Sequence, residues 1–305
     1  MEAFVNTVVH IAVMLVFPPL LLGVIARTKA VFAGRNGPPL LQPYYDLIKL
    51  FQKGSVFSPT TTWIFRAGPV AGVVTAVLAT LVVPLASGSG PISFTGDVIL
   101  VVYLLGLGRF FTAAAALDTG SAFEGMGAAR EVTYACLAEP ALLLGMLVLA
   151  KLTGSLQLSA MLGSTLAEQW PTAGASLVLV FGAWFIVMLA ENCRIPFDDP
   201  NTHLELTMIH EVMVLDHSGP ALGMILYGAA VKFFLFAALL VRLLLPFTTG
   251  SGWLDWPFFM AALVGVAIGV GVVESTMARL RLTQIPVLLF AACLLAAFAM
   301  ILLVR

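Results

Sequence analysis

Residues 191–219 form the most polar stretch of this 305-residue chain, in which 60% of the residues are hydrophobic and 10% are charged. Long apolar segments flank the stretch on both sides. Ionisable groups close to hydrocarbon are costly and tend to be functional, and a row of carboxylates suits the relay of protons or cations. A solvated loop between two helices is the alternative interpretation. The carboxylates concerned are Glu191, Asp198, Asp199, Glu205, Glu211 and Asp216.

Three further charged residues lie inside apolar segments, namely Arg109, Glu139 and Lys232. Arg109 precedes Asp118 by nine residues, which places it about 13 Å inside the membrane at ~1.5 Å per helical residue. Arg109 and Glu139 could form an ion pair. Because charges buried at such depth are costly, we interpret the three residues as a polar path, with helix packing as the alternative.

A second group of acids belongs to the segment LDTGSAFEGMGAARE, which we interpret as a turn at the cytoplasmic face. Together with the acids already described, it predicts an acidic funnel that leads from that face into the protein. The members of this predicted acidic funnel are Asp118, Glu124, Glu131, Glu139, Glu191, Asp198, Asp199 and Glu205.

The sequence contains no typical metal-binding pattern. His203, His210 and His217 are spaced by seven residues, whereas ligand pairs on a helix usually lie three or four apart, and seven residues span about 10 Å. The three cysteines form no CxxC pair. We therefore predict neither a metal nor a cofactor in this chain, and expect the histidines to form hydrogen bonds or respond to pH.

Eight apolar segments are long enough to cross a bilayer as helices, which requires about 20 residues each. They lie near residues 4–26, 67–87, 97–117, 131–151, 172–191, 220–245, 256–276 and 283–304. A helical bundle satisfies the backbone of such segments. The sequence thus predicts an all-α integral membrane protein with a single transmembrane domain over residues 1–305.

Lysine and arginine are concentrated in alternate loops, after the first, third, fifth and seventh segments. By the positive-inside rule these loops face the cytoplasm, so both termini are expected on the opposite, outer side of the membrane. The cytoplasmic loop 28–65 contains LLQPYYDLIKLFQKG, whose spacing predicts a short amphipathic helix. Residues 192–219 are expected to form an acidic cytoplasmic loop.

Three motifs resemble the complex I subunit 1 family, whose eight-helix members join a membrane arm to a peripheral redox arm. They are ARTKAVFAGRNGPPLLQPYYDLIKLFQK, LDTGSAFEGMGAARE and VESTMARLRL. All three are more similar to the membrane anchors of formate hydrogenlyase and hydrogenase-4 than to quinone-reducing complex I. The loop after Asp198 departs from both branches, because Asn201 and His203 stand where those proteins carry glutamates and only Glu205 remains.

The resemblance implies a non-catalytic membrane subunit of an energy-converting nickel–iron hydrogenase, which links electron transfer to H⁺ or Na⁺ translocation. The nickel–iron centre and iron–sulfur clusters would lie in partners, namely hydrogenase-like large and small subunits and an iron–sulfur subunit. Antiporter-like membrane subunits would complete the complex. The residues expected to dock partners or orient the acids are Arg35, Asp46, Arg130 and Arg194.

Other functions remain open from sequence. The chain could line the quinone site of a quinone-reducing complex I, act as a stand-alone ion transporter, or serve as a structural anchor without an ion path. A formal net charge of −1 without a basic tail or stripe gives no indication of nucleic-acid binding.

Overall fold

The computed structural model describes residues 2–86, 89–198, 208–246 and 252–304, which form a helical bundle. The α-helices of this part of the chain are α1 (Glu2–Val16), α2 (Pro18–Phe32), α3 (Gln42–Gln52), α4 (Trp63–Val82), α5 (Asp97–Asp118), α6 (Ala122–Thr153), α7 (Leu158–Met161), α8 (Ser164–Glu191), α9 (Gly219–Leu244), α10 (Gly252–Thr276) and α11 (Ile285–Val304). A 3₁₀ helix covers Glu211–Val214. The predicted residues Asp199 and Glu205, and also Asn201 and His203, lie outside the described residues.

Within the described residues, seven single helices are long and apolar enough to cross a membrane, and α1 with α2 makes an eighth span if counted together. The expectation of a multi-pass membrane bundle is therefore confirmed. The first span is not the single helix predicted over residues 4–26, since α1 and α2 meet at a bend of 47°. Pro18 and Pro19 explain the break, because they lack backbone N–H donors and restrict the residue before them.

Helix α6 begins much earlier than predicted. The expected turn around Asp118–Glu131 shrinks to three residues, with Gly120 at φ +72°, and the following acids belong to α6. Its 32 residues correspond to about 48 Å at 1.5 Å per residue, longer than a hydrocarbon layer of about 30 Å. One end of α6 must therefore extend beyond the hydrocarbon.

Helix α3 is the short amphipathic helix expected in the loop 28–65. It packs against α2 and α9, where Leu50 and Phe51 approach Gly223, and the Tyr44 hydroxyl donates a hydrogen bond to the Val16 carbonyl. No residue of α3 is fully buried, and Ile48 is 53% exposed. These features suit a helix that lies along the membrane interface.

Helix α9 is the most extensively buried long helix of the described bundle, and it packs against α2, α4, α8 and α10. Residues 233–241 are buried without interruption. Near its end, Arg242 donates hydrogen bonds to the carbonyl oxygens of Ala86 at 2.9 Å and Leu162 at 2.8 Å. Arg242 thus connects the loop after α4 with the loop before α8 at one end of the bundle.

Candidate functional site

Five charged side chains from four membrane helices meet inside the bundle. We term them the central ion network: Arg109, Glu131, Glu139, Glu191 and Lys232. The guanidinium of Arg109 donates to Glu139 and, at 2.7 Å, to Glu191, and its Nε lies 4.0 Å from Glu131 Oε1. Lys232 Nζ lies 2.8 Å from the second oxygen of Glu191. The pair expected between Arg109 and Glu139 is present, and Glu191 joins it to Lys232.

The positions of these groups in their helices bring them together. Arg109 lies in the middle of α5 and Lys232 in the middle of α9, while Glu191 is the last residue of α8. Glu131 and Glu139 are eight residues apart on α6, within one stripe of the helix. Residues so far apart in sequence meet only because α5, α6, α8 and α9 pack side by side.

Burial varies strongly across the central ion network. The side chains of Glu191 and Arg109 are 5% and 9% exposed, whereas that of Glu139 is 40% exposed. Three carboxylates face two cations, so one carboxylate is in excess. Charges in a low-dielectric interior are stable only when paired. The excess negative charge of the network favours the uptake of a further cation or a proton.

A small cavity of about 100 Å³, here termed the inner cavity, adjoins the network. Arg109, Glu131, Glu191 and Lys232 line it together with the hydroxyl-bearing Thr75 and Thr112. At about 30 Å³ per molecule the space suits roughly three waters, and polar groups surround it. Water in this cavity would connect the carboxylates through hydrogen bonds.

A larger cavity of about 520 Å³, the outer cavity, lies next to the inner one. Asn192, Cys193 and His210 line both cavities, so they stand at the junction. The outer cavity extends to residues of α2 and α3, including Lys29 and Asp46, and Glu211 also lines it. The two cavities together lead from the interfacial helix α3 to the central ion network.

A second charged cluster lies beside the outer cavity. This loop ion network consists of Lys29, Arg194, Asp198, Glu274 and Arg279. Glu274 lies 2.8 Å from Lys29 and 3.5 Å from Arg194, and Asp198 lies 2.8 Å from Arg279. Of these residues, the sequence reasoning did not select Lys29, Glu274 and Arg279 as site residues, although the motif VESTMARLRL contains two of them.

Asp198 also organises the polypeptide that follows. Its Oδ2 accepts hydrogen bonds from the backbone N–H groups of Ile209 at 2.8 Å and His210 at 3.3 Å. The side chain is 1% exposed. Asp198 therefore holds His210 at the junction of the two cavities.

Asp118 and Glu124 are separated from the other members of the predicted acidic funnel. Asp118 accepts hydrogen bonds from the backbone N–H groups of Thr62 at 2.6 Å and Phe65 at 3.3 Å, so it caps the start of α4. Glu124 is buried and accepts a hydrogen bond from the Asp216 N–H at 3.0 Å. Among the described residues neither carboxylate forms an ion pair. The structure does not bring these two acids into the central ion network, because their oxygens bind backbone N–H groups.

The four predicted docking residues divide into two pairs. Arg130 donates to the Met208 carbonyl at 2.8 Å, and Arg194 pairs with Glu274 and lies over the Phe233 ring. Both arginines thus form contacts within their own chain, and Arg194 contacts an acid, which is the second of the two expected roles. Arg35 and Asp46 are exposed on or near the first loop, where a partner could reach them.

The described histidines of the polar stretch do not share a helical face, because only a short 3₁₀ helix separates them. His210 reaches the cavities, whereas His217 is buried and stacks on Phe65 with 3.9 Å between ring centroids. Burial lowers the pKa of His217 to about 4, despite the nearby Asp216. His217 is therefore neutral near pH 7.

Cys193 is a site residue that the sequence reasoning missed. It is buried at the junction of the cavities, and its Sγ lies 4.0 Å from Glu131 Oε2. Its backbone has φ +49°, a region that L-residues other than glycine rarely adopt. Burial raises the pKa of the thiol, so the sulfur carries its proton in this environment. No local sequence pattern signals this position.

The chain is similar to known proteins over nearly its full length. Residues 5–305 match the family model described as NADH dehydrogenase. Hydrogenase-4 component C of Escherichia coli (strain K12) is 32% identical over 294 residues, which cover 94% of this chain and 91% of that protein. Formate hydrogenlyase subunit 4 of the same strain is 32% identical over 275 residues, 88% of each chain.

A solved structure has the same fold. It is a chain of the membrane-bound sulfane sulfur reductase, an archaeal respiratory membrane complex, with a TM-score of 0.80 and 23% identity over 99% of both chains. At this identity the likeness concerns the fold alone. With the family match, these findings confirm the resemblance expected from the motifs. The chain belongs to the NADH dehydrogenase family, that of complex I subunit 1.

Proposed function

We propose that this chain is a membrane subunit of a hydrogenase-like complex, and that it anchors redox subunits and couples their electron transfer to H⁺ or Na⁺ translocation. The observation that carries the proposal is the central ion network beside the inner cavity. The near full-length similarity to hydrogenase-4 component C and formate hydrogenlyase subunit 4 supports the hydrogenase assignment.

The central ion network has the charge pattern that a transfer site requires. Its excess carboxylate binds one proton or cation, and Arg109 retains two charged partners when the third is neutralised. Glu139 lies at the edge of the bundle and Glu131 faces the inner cavity. A proton that enters through the inner cavity can therefore reach the edge by an exchange of partners around Arg109.

The loop ion network provides a mechanical connection to docked subunits. Asp198 fixes the backbone at His210, and Arg279 holds Asp198 from the short loop between α10 and α11. A shift of this loop would move His210 at the junction of the cavities. Redox-driven movement of a docked partner would in this way open or close access to the central ion network.

The proposal places the remaining components outside this chain. Hydrogenase-like large and small subunits and an iron–sulfur subunit would hold the nickel–iron centre and the iron–sulfur clusters, and antiporter-like subunits would lie beside this chain. The expected location is the inner membrane of a bacterial or archaeal cell, with both termini outside.

Metal analysis of the native complex tests the assignment. The complex would be purified in detergent through a tag on this chain, and nickel and iron would be measured per mole of chain. Near-stoichiometric nickel together with iron is the expected result. An intact complex that contains iron without nickel would contradict the hydrogenase assignment.

A quinone-linked function is the second candidate, and the outer cavity is the observation that favours it. Its volume of about 520 Å³ falls within the roughly 300–1,000 Å³ of small-molecule sites. Pro19, Leu22 and Ile25 give it an apolar wall. Quinone reduction by a nickel-free native complex, lost when Leu22 is replaced by tryptophan, would favour this candidate over the first.

A further inference from the structure

Glu131, Cys193 and His210 bring a carboxylate, a thiol and an imidazole together at the junction of the two cavities. One ligand atom from each residue lies within 4.8 Å of the other two. The residues come from α6, from the turn after α8 and from the segment before the 3₁₀ helix. In the function proposed above Glu131 belongs to the transfer path and His210 to its access, but no role is assigned to the three residues as a group.

The ligand types indicate which ions would bind. Thiolate and imidazole favour Zn²⁺ and related transition-metal ions, whereas Mg²⁺ and Ca²⁺ prefer oxygen ligands alone. Ligand atoms around tetrahedral zinc lie about 3.3–3.8 Å apart, since the bonds measure about 2.0–2.3 Å. The cluster would have to contract by roughly 1 Å at its widest to reach that geometry. Side-chain rotation around an adjoining cavity can supply such a movement.

The end of α8 determines where the thiol of Cys193 lies. The N–H groups of Cys193 and Arg194 donate to the carbonyl oxygens of Ala190 at 3.1 Å and Leu189 at 2.9 Å, which is the Schellman pattern that ends many helices. This pattern places a left-handed residue just after the helix, which accounts for φ +49° at Cys193. The turn brings the buried thiol to within 4.0 Å of Glu131 Oε2.

The surroundings offer a further ligand and a charge balance. Three protein ligands leave the fourth position of a zinc ion for water, and both cavities border Cys193 and His210. Asn192 lines both cavities, and its buried Oδ1 has no hydrogen-bond partner within the described structure. A metal-bound water could donate to it. The excess carboxylate of the central ion network favours an additional cation.

We propose that Glu131, Cys193 and His210 form a binding site for a transition-metal dication of the Zn²⁺ class, entered through the outer cavity. On binding, the sulfur releases its proton to water and Glu131 turns from Arg109 to the metal. The ion would join α6 to both loop segments. An occupied site would therefore restrain the movement proposed for His210 and reduce ion transfer.

Zinc binding by the full-length chain in detergent tests this inference. Retained zinc would be measured after gel filtration, and Co²⁺ would serve as a probe because its thiolate charge-transfer absorption reports sulfur ligation. Cys193→Gly removes the thiol and suits the positive φ, so the fold is expected to persist. Cys136→Ser, at an exposed cysteine of α6, is the matched control.

The wild-type chain and Cys136→Ser are expected to retain stoichiometric zinc and to show the cobalt–sulfur absorption, and Cys193→Gly is expected to lose both. Glu131→Gln should weaken zinc retention, with the thermal unfolding midpoint measured to verify folding. Equal zinc retention by Cys193→Gly and the wild type, or no retention by the wild type, would overturn the inference. The measurement involves no redox turnover, so its outcome is independent of the proposed function.

Discussion

Glu191 shows at the scale of one residue how the membrane interior constrains charge. One of its oxygens accepts a hydrogen bond from Arg109 at 2.7 Å, the other lies 2.8 Å from Lys232 Nζ, and its side chain is 5% exposed. A single carboxylate thus pairs with two cations, of which Arg109 is 9% and Lys232 22% exposed. Its position at the end of α8 also explains why the sequence suggested a loop acid near the membrane edge.

Replacement of Glu191 by glutamine should destabilise the protein strongly. Removal of one partner from a buried ion pair costs up to about 3–5 kcal/mol. Lys232 would lose the carboxylate with which it pairs, whereas Arg109 would keep Glu131 and Glu139. The midpoint of thermal unfolding in detergent measures the effect. Glu168→Gln, at an exposed acid of α8, is the control and should leave the midpoint nearly unchanged. Equal midpoints for the two variants would show that Glu191 does not compensate these cations.

The buried His217 makes stability depend on pH in a defined direction. Its pKa is about 4 in the folded state and about 6.5 when unfolded, so protonation favours the unfolded state. The free energy of unfolding should be highest above about pH 6.5 and fall by up to roughly 3 kcal/mol as the pH decreases towards 4. His217→Phe keeps the contact with Phe65 without titrating. Its unfolding midpoint should decline less between about pH 7 and pH 5 than that of the wild type, and parallel declines would contradict the assignment.

At the scale of elements, the apolar segments predicted the membrane bundle and the amphipathic spacing predicted α3. The first span differed because Pro18 and Pro19 break the helix at a point that hydropathy alone does not register. The turn before α6 differed because Glu124 lies in a helix that extends past the hydrocarbon. Hydropathy depends on composition alone, so it does not distinguish the polar first turns of a long helix from a loop.

The candidate site could be predicted only in part, for a related reason. Arg109, Glu139 and Lys232 stood out because charges are rare in apolar helices. Cys193 gave no such signal, and Glu274, a charge near the end of the seventh apolar segment, suggested helix packing. The importance of both depends on contacts between elements distant in sequence. Long-range packing brings such residues together, and no local pattern encodes it.

The contact between α6 and α8 depends on a small residue. A Cβ added to Gly145 would overlap the indole nitrogen of Trp184, which donates to the Leu142 carbonyl at 3.3 Å. Gly145→Ala should therefore cost about 1–3 kcal/mol through overpacking. Gly106→Ala in α5, where the added Cβ meets open space, should be neutral or slightly stabilising. Thermal unfolding midpoints compare the two, and an unchanged midpoint for Gly145→Ala would refute the close contact.

Asp198 contacts both Arg279, in the loop after α10, and the backbone at Ile209 and His210. Its replacement should therefore affect the whole segment between α8 and α9. Asp198→Asn would weaken the link to Arg279 and loosen the backbone at Ile209 and His210. We expect turnover of the native complex to fall at least several-fold with the complex still assembled. Glu168→Gln, which alters an exposed acid of α8, is the control. Unchanged turnover in Asp198→Asn would rule out its assigned role.

At the scale of the whole molecule, two cavities connect the interfacial helix α3 with charges at mid-span. The loop ion network borders the outer cavity, and the central ion network borders the inner one. His210 and Cys193 line both cavities, so they lie between the cytoplasmic loops and the charged side chains of the membrane helices. Ion translocation should depend on the central ion network, and redox turnover of the complex on the loop ion network. It should therefore be possible to impair one without the other.

The most direct test of that claim is the number of ions translocated per electron pair in inverted membrane vesicles that carry Glu139→Gln. Glu139 is the least buried acid of the central ion network, so its replacement should preserve assembly and electron transfer. The account predicts that coupled translocation falls sharply in this variant, whereas Glu168→Gln behaves as the wild type. An unchanged ratio of ions to electrons in Glu139→Gln, or a loss of assembly in place of translocation, would contradict it.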